Sequence, residues 1–184
     1  IRIKPDYAKA YLNRGVAYNE LGQHDKAISD STEAIRIKLD YADAYHNRGV
    51  AYNELEEYDK AIADSTEAIR IDPDYAKAYL NRGTAYVVLE EYDKAIADYT
   101  DAIRINPDYA TAYNNRGWAY GQLGQHDQEI ADYTEAIRID PDYALAYVNR
   151  GVAYGQLDQY DKAIADYTEA IRIDPDFANA YHDR

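Results

Sequence analysis

Residues 76–109 read AKAYLNRGTAYVVLEEYDKAIADYTDAIRINPDY, and the same 34-residue phrase recurs along the whole chain. Its closing Pro107-Asp108-Tyr109 returns as Pro73-Asp74-Tyr75 and Pro141-Asp142-Tyr143, and earlier as Pro5-Asp6-Tyr7. Its Asn81-Arg82-Gly83 returns as Asn13-Arg14-Gly15, Asn47-Arg48-Gly49, Asn115-Arg116-Gly117 and Asn149-Arg150-Gly151. Tyr92, Ala95, Ile96, Tyr99, Ala102 and Ile103 fall at i, i+3, i+4, i+7, i+10 and i+11, one stripe of an amphipathic helix. Tyr79, Gly83, Tyr86 and Leu89 form a similar stripe upstream. Each phrase therefore predicts a helical hairpin with a short internal loop such as Leu21-Gly22-Gln23. Proline at the junctions suits a helix start, and Asn106 or Asp140 before it is placed to cap. A fixed period of this length marks an all-α solenoid, in which each unit buries its apolar face only against its neighbours. Most single-core enzyme folds are excluded on that ground.

The period divides the chain into one array. Full repeats span 8–41, 42–75, 76–109, 110–143 and 144–177, with 1–7 reading as the end of a preceding repeat and 178–184 as the start of another. With no polar cap at either end, the chain reads as a piece of a longer array. Its net charge of −14 and pI near 4.6 argue against a nucleic-acid partner, because carboxylates outnumber and intersperse the Lys and Arg that a phosphate backbone requires. Absence of cysteine excludes disulfides, thiolate catalysis and cysteine zinc sites. No apolar run approaches the roughly 20 residues that span a bilayer, so no membrane role is expected and cytoplasmic residence is the default.

Tyr79, Gly83, Tyr86, Ala95, Tyr99, Ala102 and Pro107, repeated in every unit with few departures, resemble the tetratricopeptide repeat. The resemblance covers essentially the whole chain. It implies a right-handed superhelix of antiparallel helix pairs whose first helices line a concave groove. It also implies a protein-protein interaction scaffold binding an extended peptide segment there, and no enzyme. Glycine inside a helix costs about 1 kcal/mol relative to alanine, so its return in each unit implies close backbone approach. The 22 tyrosines read as packing between helices, with hydroxyls free to reach the surface.

Several positions depart from the pattern. Leu39, preceded by Lys38, replaces the junction proline and its acidic neighbour, which predicts a more continuous or less sharply turned junction. Glu129 stands where Ala27, Ala61, Ala95 and Ala163 stand elsewhere. A carboxylate in that place is expected to snorkel out or widen the hairpin, so Glu129→Ala should stabilise the fold. Ser31 and Ser65 replace the aromatic of Tyr99, Tyr133 and Tyr167, which predicts looser packing in the first two units.

Arg14, Arg48, Arg82, Arg116 and Arg150 occupy a place usually apolar in the family, and an Asp follows each one sixteen residues later. The spacing reads as an Arg–Asp tie between the helices of a hairpin; the alternative is a line of donors for anionic ligands.

A second stripe on the first helices runs Lys77, Leu80, Asn81, Thr84 and Val88, with Leu12, Asn13 and Val16, His46, Asn47 and Val50, Asn114, Asn115 and Trp118, and Val148, Asn149 and Val152 as counterparts. By the family resemblance this stripe faces the groove. The candidate peptide-binding residues are Asn13, Asn47, Asn81, Asn115, Asn149, Trp118, Lys77, Leu80, Thr84, Val50 and Val152. A side-chain amide offers both a donor and an acceptor, so an asparagine row suits a peptide backbone, and the row resembles the ladder of the nucleocytoplasmic sugar-transferring glycosyltransferase. The alternative is that the amides cap or bridge neighbouring helices. The carboxylate grip of co-chaperones in this family is not matched, since Leu12, Val16 and Asn81 stand where it needs charged or amide partners. Trp118, the sole tryptophan, reads either as a binding anchor or as groove filling.

Nothing points to catalysis, a cofactor or a metal: His24 and His126 sit at turns, His46 and His182 on the groove stripe, and no ligand-spaced pair forms. The expected partner is a protein or peptide. The competing expectation is a spacer or a head-to-tail self-associating array through Ile1-Ile3 and Phe177-Tyr181.

Overall fold

A computed structural model describes residues 5–175, which divide into two compact units at the Ile105–Asn106 boundary. The expectations placed on Ile1, Ile3, Phe177, Tyr181 and His182 lie outside the described residues. Unit 1 contains α1 (Pro5–Glu20), α2 (His24–Ile37), α3 (Ala42–Glu54), α4 (Tyr58–Ile71), α5 (Ala76–Val88) and α6 (Tyr92–Ile105). Unit 2 contains α7 (Ala110–Gln122), α8 (His126–Ile139), α9 (Ala144–Gln156) and α10 (Tyr160–Ile173). No strand occurs among the described residues. In unit 1 the hairpins α1/α2, α3/α4 and α5/α6 stack so that α2 packs on α3 and α4 on α5, while the first helices α1, α3 and α5 also touch. In unit 2, α7/α8 and α9/α10 stack through α8 and α9.

The hairpin loops share one geometry. Gly22 and Gly124 take the left-handed conformation at φ 67° and 69°, and the same position is held by Glu56, Glu90 and Asp158 at φ 58–60°. The following N–H reaches back across the helix end, as in Glu57 N–H to the Tyr52 carbonyl at 2.8 Å, the pattern that closes a helix C-terminus. At the junctions before α5, α7 and α9 the proline does not open the next helix, whereas α1 begins with Pro5. Helices α5, α7 and α9 start three residues after it, with Tyr75, Tyr109 and Tyr143 before them and no side-chain cap. Asn106 and Asp140 therefore do not cap the start of the next helix; Asp140 stands instead at the end of α8. Their Oδ1 atoms, like that of Asp72, accept the N–H two residues on at 3.1–3.3 Å and fix the Pro-Asp turn.

The Lys38-Leu39 junction corrects the expectation of a more continuous chain. Lys38 closes α2 with φ −133° and ψ 98°, close to Asp72 at −131° and 94°, so the chain turns as sharply as elsewhere. What is lost is the bonding: residues 39–40 form a bend without the turn hydrogen bond that Tyr75 makes to the Asp72 carbonyl at 3.2 Å. The Lys38 ammonium instead lies 4.3 Å from the centre of the Tyr41 ring.

The innermost layer is alanine. Ala27, Ala34, Ala61, Ala68, Ala95 and Ala102 of unit 1 are fully buried, as are Ala112, Ala119, Ala136 and Ala153 of unit 2. Small side chains let helix backbones approach, and Gly83 shows the limit: a Cβ there would lie 2.6 Å from Cε1 of Tyr99. Among the described tyrosines only Tyr99 and Tyr133 are almost completely enclosed, at 1 % exposure. Many of the others lie beside cations. The Arg116 guanidinium is 5.5 Å from the Tyr113 ring centre and 5.9 Å from that of Tyr120, and Lys60, Lys94 and Lys162 cover Tyr52, Tyr86 and Tyr154 at 5.1–5.2 Å.

Each of the five arginines forms the interhelical tie expected from its spacing. Nε and Nη2 of Arg14, Arg48, Arg82, Arg116 and Arg150 donate to both carboxylate oxygens of Asp30, Asp64, Asp98, Asp132 and Asp166 at 2.6–2.8 Å. The carboxylates are buried. Arg48, Arg82 and Arg150 also donate from Nη1 to Thr32, Thr66 and Thr134 of the preceding second helix at 3.0 Å. One side chain thus ties its own hairpin and staples it to the repeat before.

The two serine positions are not loose. Ser31 and Ser65 are fully buried, and each Oγ accepts a hydrogen bond from the asparagine of the following repeat, Asn47 at 2.8 Å and Asn81 at 2.9 Å. The space vacated by the aromatic is filled by a neighbour's amide.

Breaking one tie leaves a charge stranded in a half-buried place. Asp98→Ala is expected to destabilise the protein by about 3 kcal/mol, whereas Arg82→Met with Asp98→Leu, which removes both charges, should cost far less. Urea unfolding of the single and double variants checks this, and equal losses in the two would refute it.

Candidate functional site

The candidate face is the exposed side of the first helices, and the asparagine row on it divides into two chemical situations. In unit 1, Asn47 is buried, donates to Ser31, and accepts from Asn19 Nδ2 through both its carbonyl and its Oδ1 at 2.9 Å. Asn81 repeats this with Ser65 at 2.9 Å and with Asn53 at 2.9–3.0 Å. Both side chains are spent on holding consecutive repeats together. Asn13 on α1 is exposed.

In unit 2 the arrangement changes because two positions change together. Tyr133 replaces the serine and Gly121 replaces the asparagine of the Asn19–Ser31 pair. The serine and the asparagine that flank the amide in unit 1 are thus both replaced. Asn149 Nδ2 instead donates to Oδ1 of buried Asn114 at 3.0 Å, and Asn114 Nδ2 donates to Asn115 Oδ1 at 3.3 Å. This chain of amides links α7 to α9 and ends in two uncommitted groups, Asn115 Nδ2 as a donor and Asn149 Oδ1 as an acceptor. Trp118 and Val152 lie on the same two helices at 38 % and 43 % exposure.

The remaining expected residues belong to unit 1. Lys77 and Thr84 are exposed, the Thr84 hydroxyl donating to the Leu80 carbonyl at 3.0 Å, and Leu80 and Val50 are half-buried. Leu12, placed on the groove stripe by its spacing, is buried against Ala34, Ile35 and Ala44 and belongs to the contact between repeats. His46 occupies the same register. Its ring lies 5.1 Å from that of Tyr75, whose hydroxyl donates to Asp43 at 2.9 Å. Burial, reinforced by Lys77 and opposed by Asp43, pushes His46 down to about 4, so it is neutral at pH 7.

Sequence reasoning missed Asn19 and Asn53, which hold the row in unit 1, and took Asn114 for one more stripe residue when it is the buried hub of unit 2. The signal was present: asparagine at 19 and 53 accompanies serine at 31 and 65, and both are lost together in the last three repeats.

Glu129 neither snorkels nor splays its hairpin. It is 6 % exposed, its carboxylate lies where a Cβ on Gly121 would come within 2.5 Å, and Oε2 meets His126 Nδ1 at 2.8 Å. Burial pushes its pKa up, against the opposing pull of His126. Among the described residues no group of three His, Asp or Glu side chains is arranged to hold a metal, and no helix is long and apolar enough to cross a membrane.

A family model described as tetratricopeptide repeat matches residues 42–75 and 144–177, and one described as TPR repeat matches 17–55, 83–124 and 119–158. The chain belongs to the tetratricopeptide repeat family, an all-α solenoid of helical repeats. A crystal structure of MamA is 27 % identical, covers 90 % of this chain and 96 % of its own, and superposes with a TM-score of 0.78. YrrB, described as a TPR protein with an unusual peptide-binding site, is 25 % identical over 94 % of this chain and 89 % of its own, with a TM-score of 0.72. TTC0263, a thermophilic TPR protein of Thermus thermophilus, shares the fold at 23 % identity, 91 % and 92 % coverage and a TM-score of 0.77. No curated protein sequence matches the chain. The family's fold is that of a protein-interaction scaffold whose members bind protein or peptide partners and are generally not enzymes.

A carboxyl whose folded pKa is raised is a liability above that pKa, and the liability fades as pH falls through it toward the unfolded value. Glu129→Ala with Gly121→Val, which copies Ala95 and Val87 of the third repeat, is expected to stabilise by about 1 kcal/mol at neutral pH. Melting temperatures from pH 7 to pH 4 should show the gain shrinking with acid. A loss at pH 7, or a gain that grows with acid, would count against this account.

Proposed function

We propose that the protein is a scaffold that binds an extended peptide on the exposed face of its first helices, centred on α7 and α9. The observation that carries this reading is the pair of uncommitted amide groups, Asn115 Nδ2 and Asn149 Oδ1, beside the partly exposed Trp118 and Val152. A donor and an acceptor held on adjacent helices match the carbonyl and N–H of an extended strand, and apolar neighbours suit its alternate side chains. The similarity to YrrB supports the class of ligand. Within unit 1, taken by itself, Asn13, Val50, Lys77, Leu80 and Thr84 are the exposed or half-buried candidates on the first helices, whereas Asn47 and Asn81 serve chiefly to fix those helices.

Asn115→Ala with Asn149→Ala should weaken capture of arrayed peptides by roughly tenfold while circular dichroism stays unchanged, the effect of about two hydrogen bonds. Asn47→Ala should lower the melting temperature instead. Unchanged capture by the double variant would remove the basis of the reading.

A second reading, end-to-end association, rests on α10. Ile164 and Ile171 are 62 % and 51 % exposed, at the repeat positions of Ile130 and Ile137 on α8, a helix that packs on α9. Light scattering that rises with concentration and is abolished by Ile164→Lys would favour it; a concentration-independent monomer mass would exclude it.

A further inference from the structure

The helices that carry the uncommitted amides are free of unpaired charge. Helix α7 reads ATAYNNRGWAYGQ and α9 reads ALAYVNRGVAYGQ, with no Lys, Asp, Glu or His between them. Their two arginines are held by Asp132 and Asp166 in bidentate pairs. This occurs in a chain of net charge −14. Unit 1 differs at the same registers, where α1 exposes Lys9 and Glu20, α3 exposes Asp43 and Glu54, and α5 exposes Lys77. In unit 2 those registers hold Thr111 and Leu145 at one end and Gln122 and Gln156 at the other.

Resting on the peptide-binding reading, we infer that the segment bound on α7 and α9 is uncharged and rich in amide and hydroxyl side chains. A Lys or Glu of the partner placed there would give up water and find no counter-charge, a penalty that amides and hydroxyls avoid. Asn115 leaves a donor and Asn149 an acceptor, and the exposed Gln122 and Gln156 each offer both, so they match partner groups of the same kind. The acidic field of the whole chain draws basic peptides from a distance, but ordinary salt screens an attraction that no local carboxylate anchors. Selectivity here comes from the absence of charge.

Trp118, the only tryptophan, reports binding by its fluorescence. Capped peptides built from Ser, Thr, Asn, Gln, Gly and Val are titrated against matched sets carrying Lys pairs or Glu pairs, at physiological and at high salt. The neutral set should bind at least about tenfold more tightly than either charged set, with little dependence on salt. Gln122→Lys with Gln156→Lys should turn preference toward the Glu set, a gain that misfolding does not produce. Equal or tighter binding of a charged set at high salt overturns the inference and leaves peptide binding standing. No binding by any set overturns both.

Discussion

The bidentate Arg–Asp tie is the interaction on which the rest of the structure depends. Asp30, Asp64, Asp98, Asp132 and Asp166 are buried carboxylates, and each is tolerated because a guanidinium fork meets both oxygens. The pair ties the two helices of a hairpin together, and tyrosine rings flank the arginine, as Tyr113 and Tyr120 flank Arg116. Where the third nitrogen reaches a threonine of the previous repeat, the same residue sets the spacing between repeats. Desolvation offsets much of the attraction in such a pair, so its contribution lies more in register than in net stability. An alanine core supplies little shape of its own, and register has to come from elsewhere.

The first helices are positioned by a second, variable device. In unit 1 a polar triad of Asn19, Ser31 and Asn47, repeated as Asn53, Ser65 and Asn81, bonds consecutive repeats together. In unit 2 a tyrosine takes the place of the serine, and α7 and α9 meet chiefly through Asn114 and Asn149. The same asparagine thus does different work depending on what stands sixteen residues before it. Packing in unit 1 consumes amide groups that unit 2 leaves unbonded. That division, together with the lack of Lys, Asp, Glu and His on α7 and α9, is what the proposed peptide site in unit 2 rests on.

Much of this was legible in the chain. The 34-residue period, the hairpin helices and the Arg–Asp spacing follow from residue order, because each depends on helical geometry over short distances. The family follows from small and aromatic residues recurring in fixed places. Leu39 and Glu129 were recognisable as departures, yet their consequences were not. A carboxylate at 129 reads as a burden until Gly121 is seen to leave room for it and His126 to meet it. Ser31 reads as a gap until the Asn47 amide is seen to fill it.

The sequence by itself determined the fold, the repeat and the candidate asparagine row, since periodicity fixes which residues share a helix face. Only the tertiary structure decided which of those asparagines have hydrogen-bonding capacity left. That depends on side chains 16 and 28 residues away meeting at distances near 3 Å, and no one-dimensional pattern states whether an amide's partner is a serine, another amide or a ligand.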